Sequence, residues 1–145
     1  MVMKPIVLLP GEGEAASLGA TTVRFLAQHV DDEALSVTEA ALAPGFPGLV
    51  PHAHEHTYDC FYILEGTVAF LLAGEEISAP AGSFVLVPPG VVHTFSNPGH
   101  EPARILNLNH PGGLGQYLKE AAEIPGADPV AMAELAGRYD FRPAG

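Results

Sequence analysis

Apolar positions along this chain recur at strand period over most of its length and at helical period only near its end. Residues 4–10 and 22–28 read as early strands joined by a Gly/Glu-rich turn, and 34–42 as another strand. That strand ends at Pro44-Gly45-Phe46-Pro47-Gly48. Short strands follow around His52, over 60–64 and over 67–72, and Ala73-Gly74-Glu75 turns the chain into 76–79. Phe84 to Val87 is apolar and alternates poorly, the pattern of a strand buried on both faces. Residues 103–109 make the last strand. Many short strands parted by turn signals predict an all-β, antiparallel sandwich or barrel.

After Pro111-Gly112-Gly113 the period changes. Leu114, Tyr117, Leu118 and Ala121 recur at helical spacing, and this helix stops near Pro125-Gly126. Asp128-Pro129 is an N-cap and first-turn pair. Val130 to Ala136 continues as a second helix, with Gly137 expected just past its end. The chain thus divides into a β-barrel over 1–112 and a helical extension over 113–145, packed on the same domain. The extension carries no histidine or cysteine, so its expected role is packing against the barrel's outer face or a partner subunit.

Composition narrows the class. The 145 residues suffice for one domain with a real core. A net charge of −11 sets the chain against phosphate backbones, so nucleic acid is not an expected partner. No apolar run is long enough for a helix to span a bilayer. The start, MVMKPIVLLPGEGEAA, lacks a signal-peptide core and cleavage site, so the cytoplasm is the expected location. Cys60 is the only cysteine, which leaves no intrachain disulfide and predicts a buried, unreactive thiol.

The chemistry lies in two segments. His52 and His54 are two apart, so on a strand both imidazoles face the same way and reach one point. Asp59 has the opposite parity and needs a turn, which 55–58 supplies. Asp59, Phe61 and Ile63 then face inward, with Cys60, Tyr62 and Leu64 on the other face. Downstream, Pro88-Pro89-Gly90 breaks the chain, and Val91, His93 and Phe95 share one face of the next strand. A lone strand histidine is ordinarily a half-buried polar residue. Three at these spacings, within a Gly-Pro-Gly framework, point instead to a metal. Three imidazoles and one carboxylate suit one divalent ion, iron, manganese, nickel, copper or zinc, with positions left for water or substrate.

Residues 82–97, GSFVLVPPGVVHTFSN, fit G-x5-P-x-G-x2-H-x3-N at Gly82, Pro88, Gly90, His93 and Asn97. Residues 52–66, HAHEHTYDCFYILEG, supply His52, His54, Asp59 and Gly66. These segments resemble the paired motifs of the cupin superfamily. FYILEG and the two-helix tail are similar to small bacterial cupins of the quercetin-dioxygenase-like kind. The resemblance implies a jelly-roll β-barrel with one metal in its mouth, and a homodimer. It implies His52, His54, Asp59 and His93 as ligands. The family pattern has glutamate where this chain has Asp59, one methylene shorter. Asp59 therefore either coordinates directly or through water, orients a histidine, or acts as a catalytic base.

Phe61 and Phe95 are expected to make the pocket apolar around the metal, and Asn107, on an inward face with Ile105 and Asn109, to join its wall. His56 falls in a turn and His29, His100 and His110 lie near turns, so the surface is expected for all four. Tyr58 and Tyr62 read equally as core or surface. The leading function is a metal-dependent enzyme acting on a small organic molecule, a quercetinase-like dioxygenase. The alternatives are a non-catalytic small-molecule-binding cupin, or a cupin isomerase or lyase.

Overall fold

The structure, a computed structural model, describes residues 4–27 and 34–144. Its strands are β1 (Glu14–Leu18), β2 (Thr21–Ala27), β3 (Ser36–Leu42), β4 (His52–Ala53), β5 (Tyr58–Glu65) and β6 (Thr67–Leu72). These are followed by β7 (Glu75–Pro80), β8 (Phe84–Val87), β9 (His93–Ser96) and β10 (Ala103–His110). Helices α1 (Leu114–Ala122) and α2 (Pro129–Gly137) then precede β11 (Arg142–Pro143). One sheet runs β1-β2-β3-β10-β5-β8 and the other β11-β4-β9-β6-β7. Every pairing is antiparallel. The jelly roll is therefore two facing sheets, rather than one sheet closed on itself. His29 falls outside the described residues.

Strand period decides what enters the core. In β5 the side chains of Asp59, Phe61 and Ile63 are buried, while Tyr58, Tyr62 and Leu64 are exposed. On the facing sheet Val68 and Phe70 are buried, and the Phe61 and Phe70 rings meet edge-on at 5.2 Å. Val23, Phe25, Ala40, Leu42 and Ile105 extend the same cluster. Gly66 closes the β5–β6 turn at φ 74°, and a Cβ there would lie 2.5 Å from the Pro102 carbonyl oxygen, so only glycine fits. Asn97 is fully occupied with structure. Its Nδ2 donates to the carbonyls of Leu42, Ala43 and Glu101, and its Oδ1 accepts from the Gly99 amide.

Three local expectations are corrected. Residues 4–10 form no strand and lie exposed, because Pro5 and Pro10 remove ladder donors at both ends. The first strand is instead β1, within the expected turn, where Glu14 to Leu18 pair with Phe25 to Thr21. Strand β8 is not buried on both faces. It is the outermost strand of its sheet, pairs only with β5, and leaves Phe84 and Leu86 exposed at 64% and 48%. Gly137 is the last helical residue of α2, with Arg138 as the cap. Asp128 does cap α2, accepting from the Ala131 amide at 3.0 Å.

Candidate metal centre

Strand pairing delivers the histidines. His52 on β4 stands opposite His93 on β9. His54 follows two residues on, and its ring lies 5.0 Å from that of His52 and 5.1 Å from that of His93. The 55–57 turn then brings Asp59 in from β5. One donor atom from each of His52, His54, Asp59 and His93 lies within 4.8 Å of the others, and all four residues are buried.

Each ring is held in a defined tautomer. The Nδ1 of His52 bonds the Val50 carbonyl at 2.8 Å, that of His93 the Val91 carbonyl at 2.9 Å, and that of His54 the Asp140 carbonyl at 2.6 Å. A carbonyl oxygen has no proton to give, so each Nδ1 is the donor. Nε2 is thereby the atom each ring offers to a metal when neutral; in the metal-free centre the Nε2 of His54 and of His93 carries a proton when it donates to Asp59. Asp59 Oδ2 stands 3.3 Å from His54 Nε2 and 2.9 Å from His93 Nε2. Two donors bonded to one ion at about 2.1 Å are about 3.0 Å apart at a right angle and about 3.4 Å apart at a tetrahedral one. The two Asp59 spacings are compatible with those values, so the four residues are a set that could hold one ion.

The other Asp59 oxygen is clamped. Oδ1 accepts from Asn107 Nδ2 and from Asn109 Nδ2, both at 2.7 Å. Burial works to raise the Asp59 carboxyl, but its bonds from His54, His93 and Asn107 and the charge of His54 hold it well below the ordinary carboxylate range. His52 is lowered to about 4, by burial first, with the charges of His93 and His54 adding to it. It is neutral at pH 7 and ready to ligate. His54 is raised. Burial opposes protonation there, and the bond to Asp59 with its charge outweighs that burial.

The centre opens into a cavity of about 80 Å³ with almost wholly apolar walls. Phe61, Phe95 and Asn107 are among the residues that line it. The tail also lines it, through Leu114, Tyr117, Leu118 and Phe141. This corrects the expectation that the tail packs away from the site. Phe141 stacks on His52 at 4.2 Å and on Tyr117 at 4.9 Å. The Asp140 carboxylate accepts from the Glu55 and His56 amides and from the Thr57 hydroxyl.

Asn109 carried a readable signal, since it shares the parity of Asn107 and pairs with Asp59 across the sheet. Asp140 and Phe141 carried none. His56, His100 and His110 are exposed, as are Tyr58 and Tyr62. Cys60 is only half-buried, on the outer face of β5, where burial and then the Asp59 charge push its thiol up.

Comparison with known proteins bears on this arrangement. Residues 38–109 match the model of the cupin domain. The quercetin 2,3-dioxygenase of Bacillus subtilis is 30% identical over 96 residues, 66% of this chain and 28% of that protein. An uncharacterized protein of Methanocaldococcus jannaschii is 32% identical over 89 residues, 61% of this chain and 67% of that one. The chain thus spans little more than a quarter of the Bacillus enzyme. Among solved structures, KdgF of a Halomonas species superposes with a TM-score of 0.66 at 18% identity, covering 76% of this chain and 96% of that one.

Proposed function

The chain belongs to the cupin superfamily, and from that footing we propose that it is a metal-dependent enzyme acting on a small organic molecule, with dioxygenation the leading reaction. The observation that carries the reading is the convergence of one donor atom from each of His52, His54, His93 and Asp59, within 4.8 Å of one another, beside an apolar cavity. His52, His54, His93 and Asp59 would hold one divalent ion. Such an ion supplies Lewis-acid polarisation of a coordinated oxygen and, if redox-active, electron transfer.

The protein's own groups do the rest. The Nδ1 bonds keep the three rings aimed, and Asn107 and Asn109 keep the carboxylate aimed. Phe61, Phe95 and Phe141 exclude water from the reacting end of a bound molecule. Asp59 is a poor proton acceptor, because its ionised form is stabilised at both oxygens, and this favours the ligand role over the base role.

The likeness to quercetin 2,3-dioxygenase supports the oxygenase reading, and the cavity bounds its substrate. Ligand pockets usually run to about 300–1,000 Å³, so a cavity of about 80 Å³ favours compact enolic molecules. A flavonol would need the C-terminal wall displaced. Elemental analysis of protein produced without added metal, then O2 uptake against compact enols and flavonols, tests the proposal. Iron, manganese, nickel or copper with enol-dependent uptake supports it. Zinc or no metal, with no uptake, would leave an isomerase, a lyase or a binding protein.

A further inference from the structure

The three histidines are not held alike. His52 and His93 each donate to the carbonyl two residues earlier in the sequence, just before their strands begin, so their partners come with the local backbone. His54 donates to Asp140, 86 residues away in the C-terminal segment. Its aim therefore depends on where that segment sits.

Several contacts seat the segment. The Asp140 carboxylate accepts from the Glu55 amide at 2.6 Å, the His56 amide at 2.9 Å and the Thr57 hydroxyl at 2.8 Å. This closes the turn that separates His54 from Asp59. Arg142 and Pro143 pair with Ala53 and His52, and the Ala144 amide donates to the Pro51 carbonyl at 2.8 Å. Arg142 reaches Glu55 at 3.2 Å. Phe141 lies nearly parallel to the His52 ring, at 21°.

Building on the metal reading above, we propose that Asp140 is a positioning residue of the metal centre. Its carboxylate docks the tail on the 55–57 turn, and its carbonyl sets the tautomer and orientation of His54. Without that dock, the His54 ring is free to rotate or to carry its proton on Nε2, the ligand atom. The carboxylate and the carbonyl belong to one residue, so docking of the tail and aiming of His54 are one event.

The test uses the full chain, native and as Asp140→Ala, with Asp128→Ala as control. The control removes the cap of α2 and loosens the tail without touching residues 140–143. Zinc affinity is read by calorimetry, and the His54 tautomer by 15N NMR of the metal-free protein at alkaline pH, where the ring is neutral. Asp140→Ala should weaken zinc binding about 10- to 100-fold and mix the His54 tautomers, while Asp128→Ala lowers the melting temperature and leaves both unchanged. If Asp140→Ala does not fold, Asp140→Asn, which keeps the shape and one acceptor, is read in the same way. Native-like zinc affinity and tautomer in these variants would overturn the proposal, as would equal weakening by the control. Failure of the native chain to bind zinc, manganese or iron refutes the metal reading instead, and the tautomer measurement then still decides the role of Asp140.

Discussion

Asp59→Glu is the most informative change available, because it restores the residue that the family pattern carries at this position. Asp59 is almost wholly enclosed. One oxygen has two amide nitrogens at 2.7 Å, and the other has two imidazole nitrogens at 2.9 and 3.3 Å. Both oxygens already hold donors at contact distance, and the open side is the cavity. A further methylene adds about 1.5 Å of reach. The carboxylate must then push the histidines apart, or turn toward the cavity and abandon the amides.

Overpacking of this kind costs about 1–3 kcal/mol, and each lost bond to a charged acceptor about 1.5–3 kcal/mol. Taking the loss of a single amide bond as the least damage, about 1.4 kcal/mol corresponds to a tenfold change in affinity. Zinc should therefore bind at least about tenfold more weakly to Asp59→Glu by calorimetry. The urea midpoint of the metal-free protein should fall as well. The double variant Asp59→Glu, Asn109→Ser opens space and should recover part of the affinity. Tight zinc binding by Asp59→Glu at native stability would refute the reasoning, since the amides would then not size the site for the shorter acid.

Alanine at His52, His54 or His93 should each remove most bound metal, measured by elemental analysis after dialysis; retention by all three single variants would place the site elsewhere. The pH dependence of the metal-free protein follows from His52, lowered from 6.5 to about 4. Between those values the unfolded chain binds a proton that the folded chain refuses, so stability falls as the pH drops through this window, by about 3 kcal/mol at most. His54 is raised, so its contribution is complete below 6.5 and is lost only as the pH rises through its folded value, and Asp59, lowered, loses its contribution only below about 3.8. Urea titrations at pH 7, 5.5 and 4.5 should show the decline in the native protein and its absence in His52→Gln; parallel curves would count against the assignment.

Parity made most of the site readable before any coordinates. The i, i+2 spacing of His52 and His54, the turn after them and the inward set Asp59, Phe61, Ile63 all follow from a two-residue period, and all appear as read. The same period could not say which strand lies at a sheet edge, since edge position is set by pairing across the fold. Thus the apolar run of β8 read as interior, although Phe84 and Leu86 face outward. The tail was misplaced for a related reason. Its helices were visible in the spacing of Leu114, Tyr117, Leu118 and Ala121, but a helical period gives a buried face without naming what covers it. The contacts that bring Phe141 onto His52 and Asp140 onto His54 join positions more than 80 residues apart, and no local pattern announces them.

The cavity's lining bears on the choice between the proposed oxygenase and its enzymatic alternatives. Isomerases and lyases need a group that takes and returns a proton beside the substrate. Four titratable side chains line the cavity, His52, His54, Asp59 and Tyr117. The first three belong to the proposed donor set, and Asp59 is further pinned by Asn107 and Asn109. Tyr117 remains. Its phenol is pushed up by burial, which makes it a weak acid and a proton donor at neutral pH, suited to protonating a developing anion rather than to starting one. Chemistry driven by a bound metal asks little of it, whereas proton-shuttling chemistry depends on it. Tyr117→Phe keeps the ring that stacks on Phe141 and removes only the hydroxyl. It should leave zinc affinity unchanged and O2 uptake with an accepted enol within about threefold of native, since a neutral hydrogen bond contributes only about 0.5–1.5 kcal/mol. A hundredfold loss of turnover with metal content intact would overturn the oxygenase reading and place proton transfer through Tyr117 at the centre of the reaction.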